Sequence, residues 1–305
     1  MTGGAGFIGS QTVRVLQTKG YRVRILDNFS TGKVENLLGL QDVDIINGDI
    51  RNYETVLRAL KNVTGVIHLA AQVSVQFSIM RPDISYEINN SGFLNVLNGI
   101  RMVNTGIRLV FASSAAVYGN QSVMICREDS SPKPISPYAL EKHVNEQYAE
   151  LFRKVYGINS IGLRYFNVYG EGQDPNSQYS GVITKFLSAI QRKECLFIYG
   201  DGTQRRDFIH VKDIAAANTK ALESNYTGVV NVGTGNSTSL KELLDVIKEN
   251  LDDDVYVKYK QPRPGDIKDS FCDITLAKDV IGFAPKIDFR DGIKDIIKQL
   301  SSNCL

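Results

Sequence analysis

Thr2-Gly3-Gly4-Ala5-Gly6-Phe7-Ile8-Gly9 is followed by an amphipathic stretch from Gln11 to Lys19, a turn at Gly20-Tyr21-Arg22, and the apolar run Val23-Arg24-Ile25-Leu26 ending in Asp27. Glycines at 3, 6 and 9 let a backbone approach a pyrophosphate at the start of a helix. Asp27 lies 18 residues after Gly9, at a strand end, where a carboxylate accepts hydrogen bonds from an adenosine ribose. A carboxylate there repels a 2′-phosphate, so the pattern favours NAD over NADP. A glycine loop made only for tight packing would need neither the strand nor the acid.

Such a turn normally follows a strand at the centre of a parallel sheet. Only Met1 precedes it here, where a valine is expected, so the reading is a truncated chain or a misassigned start. Without that strand the chain is expected to fold poorly or to hold NAD weakly. Two or three lost core side chains cost ~5 kcal/mol or more.

Alternation continues outward from this unit. Strands are expected at Val43–Ile46 and Gly65–Leu69, with a helix near Tyr53–Leu60 between them. Asp49 and Ile50 end a strand at the edge of the nucleotide crevice; they could bracket an adenine or be plain strand-end residues. His68, inside an apolar run, reads as a packed strand histidine. One long helix is expected from Pro82 to Asn104, then strands at Arg108–Ser113 and Asn159–Phe166. Beyond residue 168 the pattern loosens. Arg206–His210 is expected within one strand, Val211–Leu222 and Leu240–Asn250 as helices around the strand Val229–Val232, and Asp291–Leu300 as a terminal helix. The fold class is therefore α/β: a doubly wound parallel (Rossmann) sheet lacking its first strand, with a smaller C-terminal α+β lobe. The division is residues 1–167 for the NAD-binding domain and 168–305 for the substrate lobe, with about 207–235 returning to the first sheet.

Tyr138-Ala139-Leu140-Glu141-Lys142 carries the chemistry. Residues four apart share one helix face, and Ser136-Pro137 is a good helix start. A free tyrosine titrates near ~10. An ammonium one turn away, with a second positive charge nearby, favours the phenolate, and a shift of ~3 units would make it a usable proton shuttle. Ser114-Ala115-Ala116-Val117-Tyr118-Gly119 places small hydroxyls at the carboxyl end of a strand, where open parallel sheets hold their sites.

Bulk composition excludes other classes. With 35 Lys+Arg against 33 Asp+Glu, net charge implies neither a nucleic acid nor a membrane surface as partner. Cys126, Cys195, Cys272 and Cys304 have no C-x-x-C spacing, which argues against a zinc site or disulfide framework, implies no metal, and suits the cytoplasm. No apolar run approaches ~20 residues, and the start is not a signal peptide.

With these pieces in order the chain resembles the extended short-chain dehydrogenase/reductase family, and within it the nucleotide-sugar 4-epimerases. T-G-G-A-G-F-I-G, L-D-N-F-S-T-G, H-L-A-A-Q, S-S-A-A-V-Y-G, Y-x-x-x-K, L-R-Y-F-N-V-Y-G, R-R-D-F-I-H-V and R-P-G-D occur in sequence over nearly the whole length. The resemblance implies a tightly held NAD, a UDP-hexose substrate and a homodimer. It implies that Ser114 is the catalytic hydroxyl, Tyr138 the base, and Lys142 the residue that binds the nicotinamide ribose and lowers the tyrosine pKa. Gly3, Gly6, Phe7, Ile8, Gly9, Asp27, Asn28, Asp49, Ile50, Leu69, Ala70, Ala71 and Asn89 would contact the cofactor. Asn167, Arg206 and Arg263 would hold the diphosphate, as two guanidinium groups and an amide suit phosphate oxygens. Asp266 would lie near the uridine ribose, and Ser270 in the sugar pocket.

The implied reaction is inversion at C4 through a 4-keto sugar, with NAD regenerated each turnover. Dehydratases and decarboxylases of the family carry acidic residues after the catalytic hydroxyl; Ala115 and Ala116 stand there, which favours simple epimerisation. A non-catalytic NAD-binding regulatory protein is the alternative of another class, disfavoured by intact Ser114, Tyr138 and Lys142. Where enzymes confined to glucose and galactose carry a bulky aromatic, Ser270 leaves room for an N-acetyl group. The expectation is activity on UDP-N-acetylglucosamine and UDP-N-acetylgalactosamine beside UDP-glucose and UDP-galactose.

Overall fold

A computed structural model describes residues 1–120, 125–174, 181–251, 255–261 and 269–302. Helix α1 (Phe7–Thr18), strand β1 (Val23–Asp27), β2 (Val43–Asn47), α2 (Tyr53–Leu60) and β3 (Gly65–His68) open the chain as the expected alternation. Next come α3 (Val75–Met80), α4 (Pro82–Tyr86), α5 (Gly92–Val103), β4 (Arg108–Ser114), the short β5 (Ile125–Cys126), α6 (Pro137–Tyr156) and β6 (Ser160–Tyr165). They are followed by β7 (Asn167–Tyr169), α7 (Val182–Gln191), β8 (Leu196–Tyr199), β9 (Arg205–Arg206), β10 (Phe208–His210), α8 (Val211–Glu223) and β11 (Gly228–Val232). The rest comprises β12 (Thr238–Ser239), α9 (Leu240–Glu249), β13 (Val257–Lys260), β14 (Asp269–Cys272), α10 (Thr275–Ile281) and α11 (Phe289–Ser302).

Parallel pairing joins β2 to β1 on one side and runs β3-β4-β6-β11 on the other. Between β1 and β3 lies the place of the expected first strand. Thr2 fills it, bridging in parallel to both Leu26 and His68. Its amide donates to the Ile67 carbonyl at 3.0 Å and its carbonyl accepts from Leu69 at 3.1 Å, while the Leu26 amide reaches the Met1 carbonyl at 2.8 Å. So the break expected at this point is narrower than the sequence suggests: two residues hold the ladder together at the end nearest the phosphate turn.

Every residue of β6 is buried, as befits a parallel strand covered on both faces. On one face Val13 and Leu16 of α1 pack with Ile214, Ala217 and Ala221 of α8. The other face takes Val56 and Leu60 of α2, Phe93, Val96 and Ile100 of α5, and Ala149 and Phe152 of α6. Helices on both faces of a parallel sheet make the doubly wound architecture. A further core forms where α7, α9 and α11 pack around β8 and β10 through Phe186, Leu187, Ile198, Phe208, Leu243, Ile247 and Ile293.

Two expected elements differ. The single Pro82–Asn104 helix contains a π-helical turn over Glu87–Ser91. That wider turn brings the consecutive residues Asn89 and Asn90 both onto the buried side, where both bond to α6. Arg206–His210 is not one strand but two in different sheets, since β9 pairs with β12 and β14 while β10 pairs with β7. The chain changes sheets at Asp207. Its buried carboxylate accepts bonds from the Thr234 amide and hydroxyl and from the Gly235 amide, which holds the crossover in place.

Candidate active site

The phosphate turn is built by close approach. Gly3 has φ of +70°, and a Cβ there would lie 2.6 Å from the Ala70 amide nitrogen. At Gly9 a Cβ would fall 2.0 Å from the Gly3 carbonyl oxygen. Side chains are therefore excluded where α1 meets the Leu69-Ala70-Ala71 turn. Gly6 precedes α1 and offers no side-chain cap, leaving the amides around Phe7, Ile8 and Gly9 for an anion. This cradle, which a single Cβ would fill, fits a dinucleotide pyrophosphate.

Asp27 ends β1 and is buried. One carboxylate oxygen accepts from the Ala5 amide at 2.9 Å and the other from the Phe29 amide at 2.9 Å. It thus braces the phosphate turn, and each oxygen keeps a lone pair for a ribose. Asn28 donates to Asp49 at 2.9 Å, and the Arg51 guanidinium bonded to Asp49 holds that carboxyl down at about 2. Ile50 is 5% exposed, its side chain packed against Gly92. The Asn89 side-chain amide clamps the Gln72 backbone at both ends, at 2.8 and 2.9 Å, and donates to buried Glu141 at 2.6 Å. At 1% exposure Asn89 braces the Gln72 segment from within. Gln72 itself carries a buried amide nitrogen with no partner among the described residues, a donor the sequence reading did not single out.

Ser114, Tyr138 and Lys142 come together at the carboxyl end of β4. The Ser136 hydroxyl accepts the Ala139 amide at 3.2 Å and starts α6, and the Tyr138 amide donates to the Ser78 hydroxyl at 3.1 Å. These bonds aim the phenol at Ser114, to which it is hydrogen-bonded. Lys142 Nζ donates to the Ala112 carbonyl at 2.9 Å and lies 5.8 Å from the centre of the Tyr138 ring.

The electrostatics correct one expectation. In the protein alone the Tyr138 pKa is raised, not lowered, because burial outweighs the Ser114 hydrogen bond and Glu141 adds negative charge. Lys142 is itself pulled down to about 8 by burial, although Glu141 and Glu146 oppose the fall. His68 is a packed strand histidine, buried and bonded to the Thr2 hydroxyl at 2.8 Å; burial and the nearby Lys142 take it down to about 3.

On the other side of the crevice, the Asn167 amide and side chain both donate to the Asp207 carbonyl at 3.0 Å. Arg206 and Ser270 are direct partners in the parallel pair β9–β14. Arg263 and Asp266 lie outside the described residues. Among the described residues no group of three His, Cys, Asp or Glu side chains could hold a metal ion, and no helix is long and apolar enough to cross a membrane.

The fold recurs in known proteins. The UDP-N-acetylglucosamine 4-epimerase from Methanobrevibacter ruminantium, solved in complex with UDP-N-acetylmuramic acid, matches with a TM-score of 0.94 at 42% identity, over 99% of this chain and 97% of that one. UDP-glucose 4-epimerase from Thermotoga maritima, solved with UDP-glucose, gives a TM-score of 0.92 at 37% identity over 100% and 98% of the two chains. The Thermus thermophilus UDP-glucose 4-epimerase complex with NAD gives 0.90 at 36% identity, over 98% and 97%. Residues 1–233, which span the phosphate turn, Asp27 and the Ser114–Tyr138–Lys142 cluster, match the NAD dependent epimerase/dehydratase family, and the chain belongs to it.

Proposed function

We propose that this protein inverts C4 of a UDP-hexose through a 4-keto sugar, with NAD as a resident cofactor. The observation that carries the reading is the cluster of Ser114, Tyr138 and Lys142 at the carboxyl end of β4, beside the glycine cradle. Gly3, Gly6 and Gly9 would hold the pyrophosphate and Asp27 the adenosine ribose, with Asn28, Asp49 and the Leu69–Ala71 turn along the same crevice. Bound NAD+ supplies a hydride acceptor that becomes the donor for the return step.

Tyr138 takes the proton of the 4-hydroxyl and later gives it back, with Ser114 bonded to both phenol and sugar oxygen. Burial alone works against the phenolate, so Lys142 and the positive charge of the cofactor ring must together offset it. Asn167, Arg206 and Arg263 anchor the diphosphate while the keto sugar turns its other face, and Asp266 binds the uridine ribose. Ala115 and Ala116, in the turn after Ser114, offer only methyl groups, which favours epimerisation over dehydration or decarboxylation.

We assign residues 1–167 to the cofactor domain and 168–305 to the substrate lobe, with about 207–235 shared; β11 pairing with β6 supports the sharing. A homodimer is supported by Leu140, Leu151 and Val155, exposed along one side of α6, and by Met102 and Val103 on α5. The free thiols of Cys126, Cys195 and Cys272 fit a cytoplasmic protein. Incubation with UDP-galactose and no external redox acceptor should yield UDP-glucose at equilibrium; recovery of unchanged substrate from folded, NAD-loaded protein would overturn the reading.

A further inference from the structure

Helix α6 is fastened to strand β4 at consecutive turns. Lys142 Nζ reaches the Ala112 carbonyl at 2.9 Å, and one turn later the Ser113 hydroxyl donates to Glu146 at 2.5 Å. The same carboxylate takes a bidentate contact from Arg164, Nε to Oε1 at 2.8 Å and Nη2 to Oε2 at 2.8 Å. Arg164 is the register partner of Ser113 on β6, so Glu146 ties a helix to two neighbouring strands at one level of the sheet. Arg164 then donates to the Tyr118 hydroxyl at 2.9 Å, and Tyr118 to Asn231 on β11 at 2.7 Å. Glu146 and Arg164 are 5% and 3% exposed. A carboxylate with this many fixed donors in a dry interior has one position open to it.

Nothing in Y-x-x-x-K explains this expense of buried charge. Replacing a buried ion pair by apolar side chains is often neutral or stabilising. Its location suggests another use, because Glu146 bonds the residue next to Ser114 and stands one turn beyond Lys142.

Resting on the epimerase reading, we propose that Glu146 is a positioning residue for the reaction, locking α6 onto β4 so that Tyr138 and Lys142 stand at fixed distances from Ser114. The charged and titratable groups around Lys142 are Tyr138, Glu141 and Glu146 on its own helix and His68 on β3, with His143 and Arg164 on the far side of Glu146. Of the two carboxylates among them, Glu146 is the one that also bonds β4.

Glu146→Gln keeps the shape but removes the charge and puts an NH2 donor in place of one of the two accepting oxygens. Expected are a fall in kcat of about 10- to 100-fold, the size of a displacement near 1 Å, and a KM for UDP-galactose unchanged within about twofold. Losing a carboxylate near Lys142 makes its ammonium easier to deprotonate, so the alkaline limb of the kcat profile should move to lower pH by about one unit. A folded variant with wild-type kcat, or one with lower kcat and an unmoved limb, overturns the proposal. If Glu146→Gln fails to fold, Ser113→Ala decides, since it removes one bond and leaves the ion pair: kcat should fall about three- to tenfold at constant KM, and wild-type kcat refutes the idea. The affinity for NAD+ against pH reads the same limb without turnover. If wild-type protein turns over no UDP-hexose, the proposed function fails by itself, and the positioning role stands or falls on that binding limb.

Discussion

Ser270 stands directly across from Arg206, the two being register partners in the parallel strands β14 and β9. The Asp207 amide donates to the Ser270 carbonyl at 2.9 Å, which fixes the serine next to the proposed diphosphate anchor. With Ser270 proposed to line the sugar pocket, its small side chain would leave space for an N-acetyl group. We expect kcat/KM for UDP-N-acetylglucosamine within about 200-fold of that for UDP-glucose, since a pocket of this kind discriminates by only ~1–3 kcal/mol. Ser270→Tyr should depress the acetylated pair at least tenfold more than the plain pair. Steady-state assays on both pairs check this, and equal effects on the two would sink it.

Tyr138→Phe should remove the proposed proton shuttle and leave the fold and cofactor cradle untouched. Turnover should fall by about 10²- to 10⁴-fold, with NAD+ affinity within a few-fold of wild type. Retention of most activity would show that another group is the base.

Lys142 links activity and stability with opposite signs. Its pKa is about 8 in the native protein against an ordinary 10.5. Between those values the unfolded chain binds a proton that the native one does not, so this residue's contribution to stability rises with pH. Below pH 8 both states are charged and the native state bears the full burial penalty. Relative to Lys142→Met, wild type should therefore gain up to about 3 kcal/mol from pH 8 to 10.5, read by urea unfolding of the cofactor-free protein. Activity should fall over the same window as the ammonium is lost. A stability gap that does not change with pH would contradict this burial account.

Leu140, Leu151 and Val155 are 51%, 50% and 59% exposed on α6. Leu151→Glu should convert a dimer to monomer without altering the secondary structure. Light scattering and circular dichroism on both proteins test it; a wild-type monomer at micromolar concentration removes the proposed interface.

The cofactor half was legible because its determinants are local. Glycines at 3, 6 and 9, a strand ending at Asp27, and a tyrosine four residues before a lysine each fix backbone or helix-face geometry within a short window. The capping serine and proline before Tyr138 and the alternation of apolar strands with amphipathic helices are of the same kind, and the structure follows them closely.

Long-range contacts and burial were decided by tertiary structure alone. Thr2 can bridge β1 and β3 because both strands lie in place beside it. Arg206 and Phe208 part into different sheets because the buried Asp207 carboxylate is held by a loop at Thr234 and Gly235. Asn89 and Ile50 are buried because neighbours distant in the chain, Glu141 and Gly92, receive them. Tyr138 is raised rather than lowered, and Glu146 becomes a knot between α6, β4 and β6, for the same reason. Desolvation and hydrogen-bond partnership depend on everything packed around a group, and no window of sequence contains that environment.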